Sequence, residues 1–278
     1  MSRIVKPLSS IILAKELDLD HFGSEVIINR VCSYSNICIG SLSFSVDAPH
    51  SAHDSSVIIT SNVEKLYSGI VSDNPRLDFI RVINWLNRKN LFSKLVKGAI
   101  HRSAIIHPTS IIDDDVNIGK NSVVGPNCCL MNGTSIGSNV KVGANSVIGH
   151  DGFGYEIDDY GIPIHFPHLG RVFVSDNVTI GNLCTIARGT INDTNIDNDV
   201  KIDDHVYIAH NVSIGKNTML MSGSKVCGSV NIGNSCWIGT GAMIRESINI
   251  YDNAMVGIGS VVVKNVNEKS TIMGNPAK

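Results

Sequence analysis

The sequence predicts a mainly β protein, a parallel β-helix of hexapeptide repeats preceded by a small α/β domain. The first observation behind this is a beat. From Ile106 an aliphatic residue returns at every sixth position, through Ile112, Ile118, Val124, Leu130, Ile136, Val142 and Ile148. The register then breaks, resumes at Val174, Ile180 and Ile186, slips once between Asn192 and Asn195, and runs from Ile196 to Val262. Six is neither a helical period nor a hairpin spacing. It fits short strands on the three sides of a prism, with the aliphatic pointing inward and about 18 residues to a coil. The second observation is compositional: aromatic residues are 5% of the chain beside 25 Gly, which suits thin coils better than a bulky core. The third is that the beat is absent before Ile106, so something else occupies the first third of the chain.

Taken in order, residues 1–98 read as the α/β domain. Glu25 to Asn29 and Val57 to Thr60 alternate as strands. Asn74 and Pro75 open a helix whose apolar side is Leu77, Ile80, Val82, Ile83, Trp85 and Leu86, ending near Arg88. Residues 99–278 form the β-helix, roughly eight coils and about 35 to 40 Å long at a strand spacing near 4.8 Å. Small residues such as Gly119, Gly125, Gly137 and Gly143 follow the aliphatics and are expected to relieve crowding or take unusual backbone angles at corners. The break at 150–173 carries Gly152, Gly154, Gly161 and Gly170 and is expected to project as a loop that binds ligand.

Charge excludes several functions. Lys+Arg 23 against Asp+Glu 25 leaves a formal net charge of -2, so no broad basic field exists for nucleic acid or anionic lipid. The run Ile11 to Leu13 is broken by Lys15 and Glu16, which argues against a signal peptide, and no longer apolar run follows; a cytoplasmic protein without an integral membrane segment is expected. The 7 Cys include no CxxC pair and read as small residues rather than a disulfide or zinc framework.

The local strings are more specific. His150-Asp151-Gly152-Phe153-Gly154-Tyr155, Gly170-Arg171-Val172, Asp193-Thr194, Lys201-Ile202-Asp203 and Ile208-Ala209-His210-Asn211-Val212 follow one another in this order. Together with Gly40 to Phe44 and Asn74-Pro75, they resemble the UDP-3-O-acylglucosamine N-acyltransferase family of lipid A synthesis. The resemblance implies a left-handed helix, a homotrimer with sites between subunits, and a nucleotide-binding first domain. It places His210 at the catalytic position, the Gly228 N–H opposite the thioester oxygen, and Asp203 where a carboxylate orients the His or holds the sugar amine. Phe44 then stacks on the nucleotide base, with Asp47 and His50 beside it, while Phe153, Tyr155 and Asn211 face the acceptor.

Chemistry agrees with those roles, since amide formation needs a base for the amine proton and a donor for the developing oxyanion. Plainer readings stand beside them: His210 and Asn211 as a solvated corner, Gly228 as a corner glycine, Asp203 beside Asp204 as a turn, Phe44 as core, and Phe153 and Tyr155 as anchors of the loop. The chain departs from the family where Asp47 and His50 replace Asn and Tyr and where Ser247 replaces a second His. A pyrimidine nucleotide with altered base preference, dTDP ahead of UDP, is therefore expected. The closing string Gly274-Asn275-Pro276-Ala277-Lys278 resembles the tail of coenzyme-A-dependent sugar acetyltransferases. Lys264 and Lys278 are accordingly expected to meet coenzyme A phosphates, making acyl-CoA the co-substrate rather than acyl carrier protein, with no metal and no permanently bound cofactor. The expected activity is acyl transfer from this thioester to a nucleotide-linked amino sugar for lipopolysaccharide or surface polysaccharide. The alternatives are a lipid A N-acyltransferase using acyl carrier protein and a γ-class carbonic anhydrase, whose zinc would need His205, His210 and a third imidazole such as His168.

Overall fold

A computed structural model describes residues 3–47, 54–64, 66–93 and 96–278. The chain divides into two compact units, Met1–Lys94 with Phe153–Leu169, and Leu95–Gly152 with Gly170–Lys278. The division thus falls at 94/95 rather than 98/99, and most of the expected coil insertion belongs to the first unit.

In that unit, the elements are β1 (Arg3–Ser9), α1 (Ser10–Glu16), β2 (Asp20–Gly23), β3 (Ile27–Val31), β4 (Ser41–Phe44), β5 (Val57–Thr60), β6 (Ser68–Val71) and α2 (Pro75–Arg88). The sheet order is β1-β3-β4-β5-β6-β2; β3 to β6 run parallel, and β1 and β2 flank them antiparallel. Asn74 caps α2 by accepting the Leu77 N–H at 3.2 Å, and Pro75 takes the first turn, where its missing N–H costs nothing. The helix buries Leu77, Phe79, Ile80, Val82, Ile83 and Leu86. The expected strand at 25–29 is displaced to β3, because Val26 takes up Ser10 through both its N–H and its carbonyl before pairing begins.

The segment expected to project as a loop is instead a hairpin, Tyr155–Ile157 against Pro163–His165. It docks on α2. Phe166 meets Phe79 edge-on at 6.2 Å, Asn84 Nδ2 donates to the His165 carbonyl at 3.2 Å, and Arg76 pairs with Glu156 at 2.6 Å.

The second unit is a left-handed parallel β-helix whose three faces are nine, eight and seven strands tall. Successive coils pair in register, as in Val123↔Lys141 and Val124↔Val142. The hexad aliphatics, from Ile118 to Val262, stack into one continuous core. The glycines after them mostly relieve crowding, since a Cβ at Gly119 would lie 2.5 Å from the Gly137 carbonyl carbon, and Gly149 also takes a positive φ of 91°. Most of the unusual backbone angles fall two residues beyond the glycine position, chiefly on asparagine, with φ of 58° at Asn121 and 57° at Asn127 and Asn139. Asparagine tolerates this left-handed region because its amide bonds locally, and here it also stacks, Asn121 Nδ2 donating to Asn139 Oδ1 at 3.3 Å.

Corner hydroxyls tie each coil to the next, as Ser122 Oγ to the Gly137 carbonyl at 2.7 Å and Thr218 Oγ1 to that of Gly233 at 2.8 Å. Cys128, Cys184 and Cys236 occupy equivalent corners, their Sγ atoms 2.9, 3.1 and 3.2 Å from the Gly143, Asp203 and Tyr251 carbonyls. These thiols replace hydroxyls. Burial pushes all three up from the ordinary thiol range, so they stay protonated and donating.

Candidate active site

The edge that follows the strand Tyr207–Ile208 holds His210 and Gly228, the pair expected to act in catalysis. Ile208, Val226, Ile244 and Val262 are register partners in successive coils, so the second residue after each, His210, Gly228, Glu246 and Lys264, forms a column down that edge. His210 is half-buried and Gly228 is buried. The two are stacked. A Cβ at Gly228 would lie 2.6 Å from His210 Cε1 and 2.9 Å from Nε2, so only glycine leaves room for the imidazole. Among the described residues, no acceptor takes the Gly228 N–H, while its carbonyl accepts from Ser247 at 3.0 Å. A buried N–H without an internal acceptor is uncommon, since such groups are nearly always paired.

Asn211 fixes the neighbourhood of the imidazole. Its φ is 59°, its Oδ1 accepts the Thr190 N–H at 2.8 Å, and its Nδ2 donates to Thr190 Oγ1 at 2.9 Å. Those bonds hold down the register slip at Asn192 to Asn195, which is a widened corner one coil before His210; the amide expected to face the acceptor is engaged in this clamp. Asp203 lies at the preceding corner, exposed, with its oxygens taking the N–H groups of Asp204 at 2.8 Å and Ser222 at 3.2 Å. It therefore sits one face of the prism away from His210.

Where the chain leaves the coils, the sequence reading missed a charge cluster. Arg188 retains only 15% side-chain exposure and stands 3.9 Å from Asp151, with Asp113, Asp115 and Arg171 acting on it electrostatically. Burial pulls its guanidinium down from the ordinary arginine value, and the three carboxylates oppose that. Asp113 and Asp115 also accept the N–H groups of Asn132 and Gly133, sealing the opened coil. Gly170-Arg171 was visible as a string, but Arg188 gave no signal without the break that buries it.

In the first unit, Phe44 packs its ring 4.9 Å from Phe79 and remains half-buried at the end of β4, while Asp47 is exposed. His50 lies outside the described residues. Phe153 and Tyr155 are 84% and 43% exposed and lean on each other at 4.9 Å, followed by His165 at 5.2 Å from Tyr155. Lys264 and Lys278 are exposed, and the tail folds back where Ala277 N–H donates to the Val261 carbonyl at 2.8 Å. His205 is an exposed corner residue with φ of 60°. Among the described residues, no three His, Cys, Asp or Glu ligand atoms within 4.8 Å of one another include His205 or His210.

The repeat itself is matched by the model for the bacterial transferase hexapeptide (six repeats) over residues 115–150 and 193–228, and by that for the hexapeptide repeat of succinyl-transferase over 211–246. The chain carries hexapeptide repeats of this kind. Among curated proteins, this hexapeptide-repeat chain is similar to the UDP-3-O-acylglucosamine N-acyltransferase of Coxiella burnetii (strain Dugway 5J108-111), 33% identical over 192 residues that cover 58% of this chain and 55% of that protein. The protein of the same name from Methylobacillus flagellatus is 31% identical over 231 residues, covering 70% of this chain and 62% of the relative. The repeat chain thus spans little more than half the length of the first of these relatives. Among solved structures, the UDP-N-acetylglucosamine acyltransferase from Campylobacter jejuni superposes with a TM-score of 0.54 at 21% identity over 65% of this chain and 73% of that one, a likeness of fold.

Proposed function

We propose that this chain is an N-acyltransferase that moves an acyl group from acyl-CoA to the amino group of a nucleotide-linked amino sugar, in the cytoplasm, for lipopolysaccharide or surface polysaccharide. The stack of His210 on Gly228 carries the reading. The amine nitrogen attacks the thioester carbon while His210 takes the amine proton, and imidazole is the ordinary side chain able to take and return a proton near neutral pH. Charge gathers on the carbonyl oxygen, which the free Gly228 N–H receives. The carbon–sulfur bond then breaks, and His210 returns the proton to the leaving thiolate. No metal takes part in this scheme.

Lys264 supports coenzyme A as the donor, because it lies on the His210 edge three coils further on, about 14 Å at a strand spacing of ~4.8 Å. Lys278 adds a second cation at the same end of the prism. Phe44 and Asp47 are proposed to receive a pyrimidine nucleotide, dTDP ahead of UDP. The names of the relatives favour a second reading in which UDP-3-O-acylglucosamine is the acceptor, and with it goes acyl carrier protein, the donor in the alternative that the family resemblance offers.

One experiment addresses both: acyl-CoA and acyl-carrier-protein thioesters are offered in parallel to dTDP- and UDP-linked amino sugars and UDP-3-O-acylglucosamine, with the wild type and His210→Ala. Acyl-CoA with a dTDP-amino sugar is expected to react, and His210→Ala to lose roughly two to four orders of magnitude in turnover. Turnover only with the carrier protein would replace the donor assignment, and an unaffected His210→Ala would remove the mechanism.

A further inference from the structure

The face that the chain enters directly after His210, beginning with the strand Ser213–Ile214, differs from the other two in what it points outward. Its outward residues are small and amide- or hydroxyl-bearing, Ser135 on one side and Asn195, Ser213 and Asn231 on the other, except for one. The exception is Phe173. Its register partners are Ser135 and Asn195, so the ring stands alone above a lower polar floor. The step makes a groove of about 420 Å³ lined by Phe173, Ser175, Asn195, Asp197, Ser213 and Asn234 among others.

That lining contains one carboxylate and no basic side chain. A phosphate would find repulsion there and no partner. Hydrogen-bonding capacity is unspent: Asn195 uses only its Nδ2, on the Asp193 carbonyl at 3.2 Å, and the described residues give the Ser213 and Ser175 hydroxyls no partner. An apolar ring face beside unspent amide and hydroxyl groups, with an Asp197 carboxylate that spends one oxygen on the Asn198 N–H at 2.7 Å, matches one ligand chemistry, a pyranose with an apolar C–H face and a rim of hydroxyl or amino groups. Ser213, which lines the groove, is three residues from His210 along the chain, and His210 itself is not part of the lining.

We propose that this groove is a saccharide subsite, in which the ring of the amino sugar rests on Phe173 and its polar rim is held by Asn195 and Ser213. The assignment rests on the acyl-transfer reading for its purpose but not for its detection. Phe173 and Asn195 point away from the core, so their substitution leaves the coils intact.

The test uses saturation-transfer NMR with methyl glucosaminide as the probe and free UDP as a control, on the full chain and on Phe173→Ala and Asn195→Ala, with acceptor KM measured wherever turnover is found. Methyl glucosaminide is expected to bind the wild type and to weaken by about tenfold or more in Phe173→Ala, the scale of one lost aromatic contact, while UDP binding is unchanged and acceptor KM rises with donor KM constant. Glycoside binding that depends on Phe173 without any acyl transfer would keep the subsite and remove the proposed function. Acyl transfer with an unchanged acceptor KM in Phe173→Ala would keep the function and remove the subsite. No binding of methyl glucosaminide to the wild type, or a change in assembly state in Phe173→Ala, would also overturn the subsite.

Discussion

Gly228 illustrates how a residue without a side chain can set the geometry of a site. Its backbone carries no positive φ, so alanine is sterically possible for the main chain itself. The obstacle is the His210 ring, 2.6 Å from where the methyl carbon would be. Gly228→Ala is therefore expected to leave thermal unfolding nearly unchanged but to displace the imidazole and lower turnover by about two orders of magnitude, the usual cost of moving a catalytic group by ~1 Å. Equal turnover in the two proteins would mean that the ring has another place to go. The roles proposed for His210 and Gly228 rest on the resemblance of the surrounding strings, whereas their spacing of one coil was legible from the regular beat. The engagement of Asn211 with Thr190 was not, because that contact depends on how the register slip folds, and spacing does not record the path of an irregular corner.

At the scale of elements, what could be read was whatever repeats. The inward column follows from period six alone, and so does the pairing of each strand with the one a coil away. The hairpin at 155–165 was invisible for the opposite reason. Its position is decided by Phe166 meeting Phe79 and Glu156 meeting Arg76, partners roughly eighty residues apart that no local pattern links. The corners were half legible. Glycine was noticed for its frequency, whereas the left-handed backbone sits more often on asparagine, with glycine at corners such as Gly223, Gly241 and Gly259 and His205 at another. Cysteine at three corners reads as a hydrophobe in a composition table and acts as a hydroxyl in the fold.

For the prism as a molecule, the outward residues of its faces differ in kind. Ile105, Val123, Trp237 and Met255 stand on the tallest face with Lys141 and Lys201 among them, and Ile111 and Met243 on the next with Lys225, the apolar ones all exposed in the single chain. The third carries the asparagines, serines and Phe173. Exposed apolar side chains recurring along two faces call for covering by further copies, and a homotrimer is proposed. Sedimentation equilibrium is expected to give three chains, and Trp237→Lys with Met243→Glu to give monomers of lowered activity. A fully active wild-type monomer at high dilution would refute the trimer.

The coil spacing also bears on how the protein forms in time. Contacts between coils close over 18 residues in most of the prism, over 22 at the slip, and over 38 where the hairpin intervenes. Closure entropy rises by about 0.6 kcal/mol for each doubling of loop length, so crossing the hairpin delays coil formation about threefold, not by orders of magnitude. The coils after the hairpin are the more numerous, and stacks of this kind nucleate where neighbours are nearest and then propagate. Pulsed hydrogen exchange during refolding is expected to protect amides of 200–262 ahead of those of 105–142, and simultaneous protection would mean that the break is no barrier. During that interval the widened corner at Thr190 already has its partner in Asn211, whereas Asp151 and the Arg188 cluster await the arrival of the earlier coils, so the two sides of the His210 edge mature in sequence, not together.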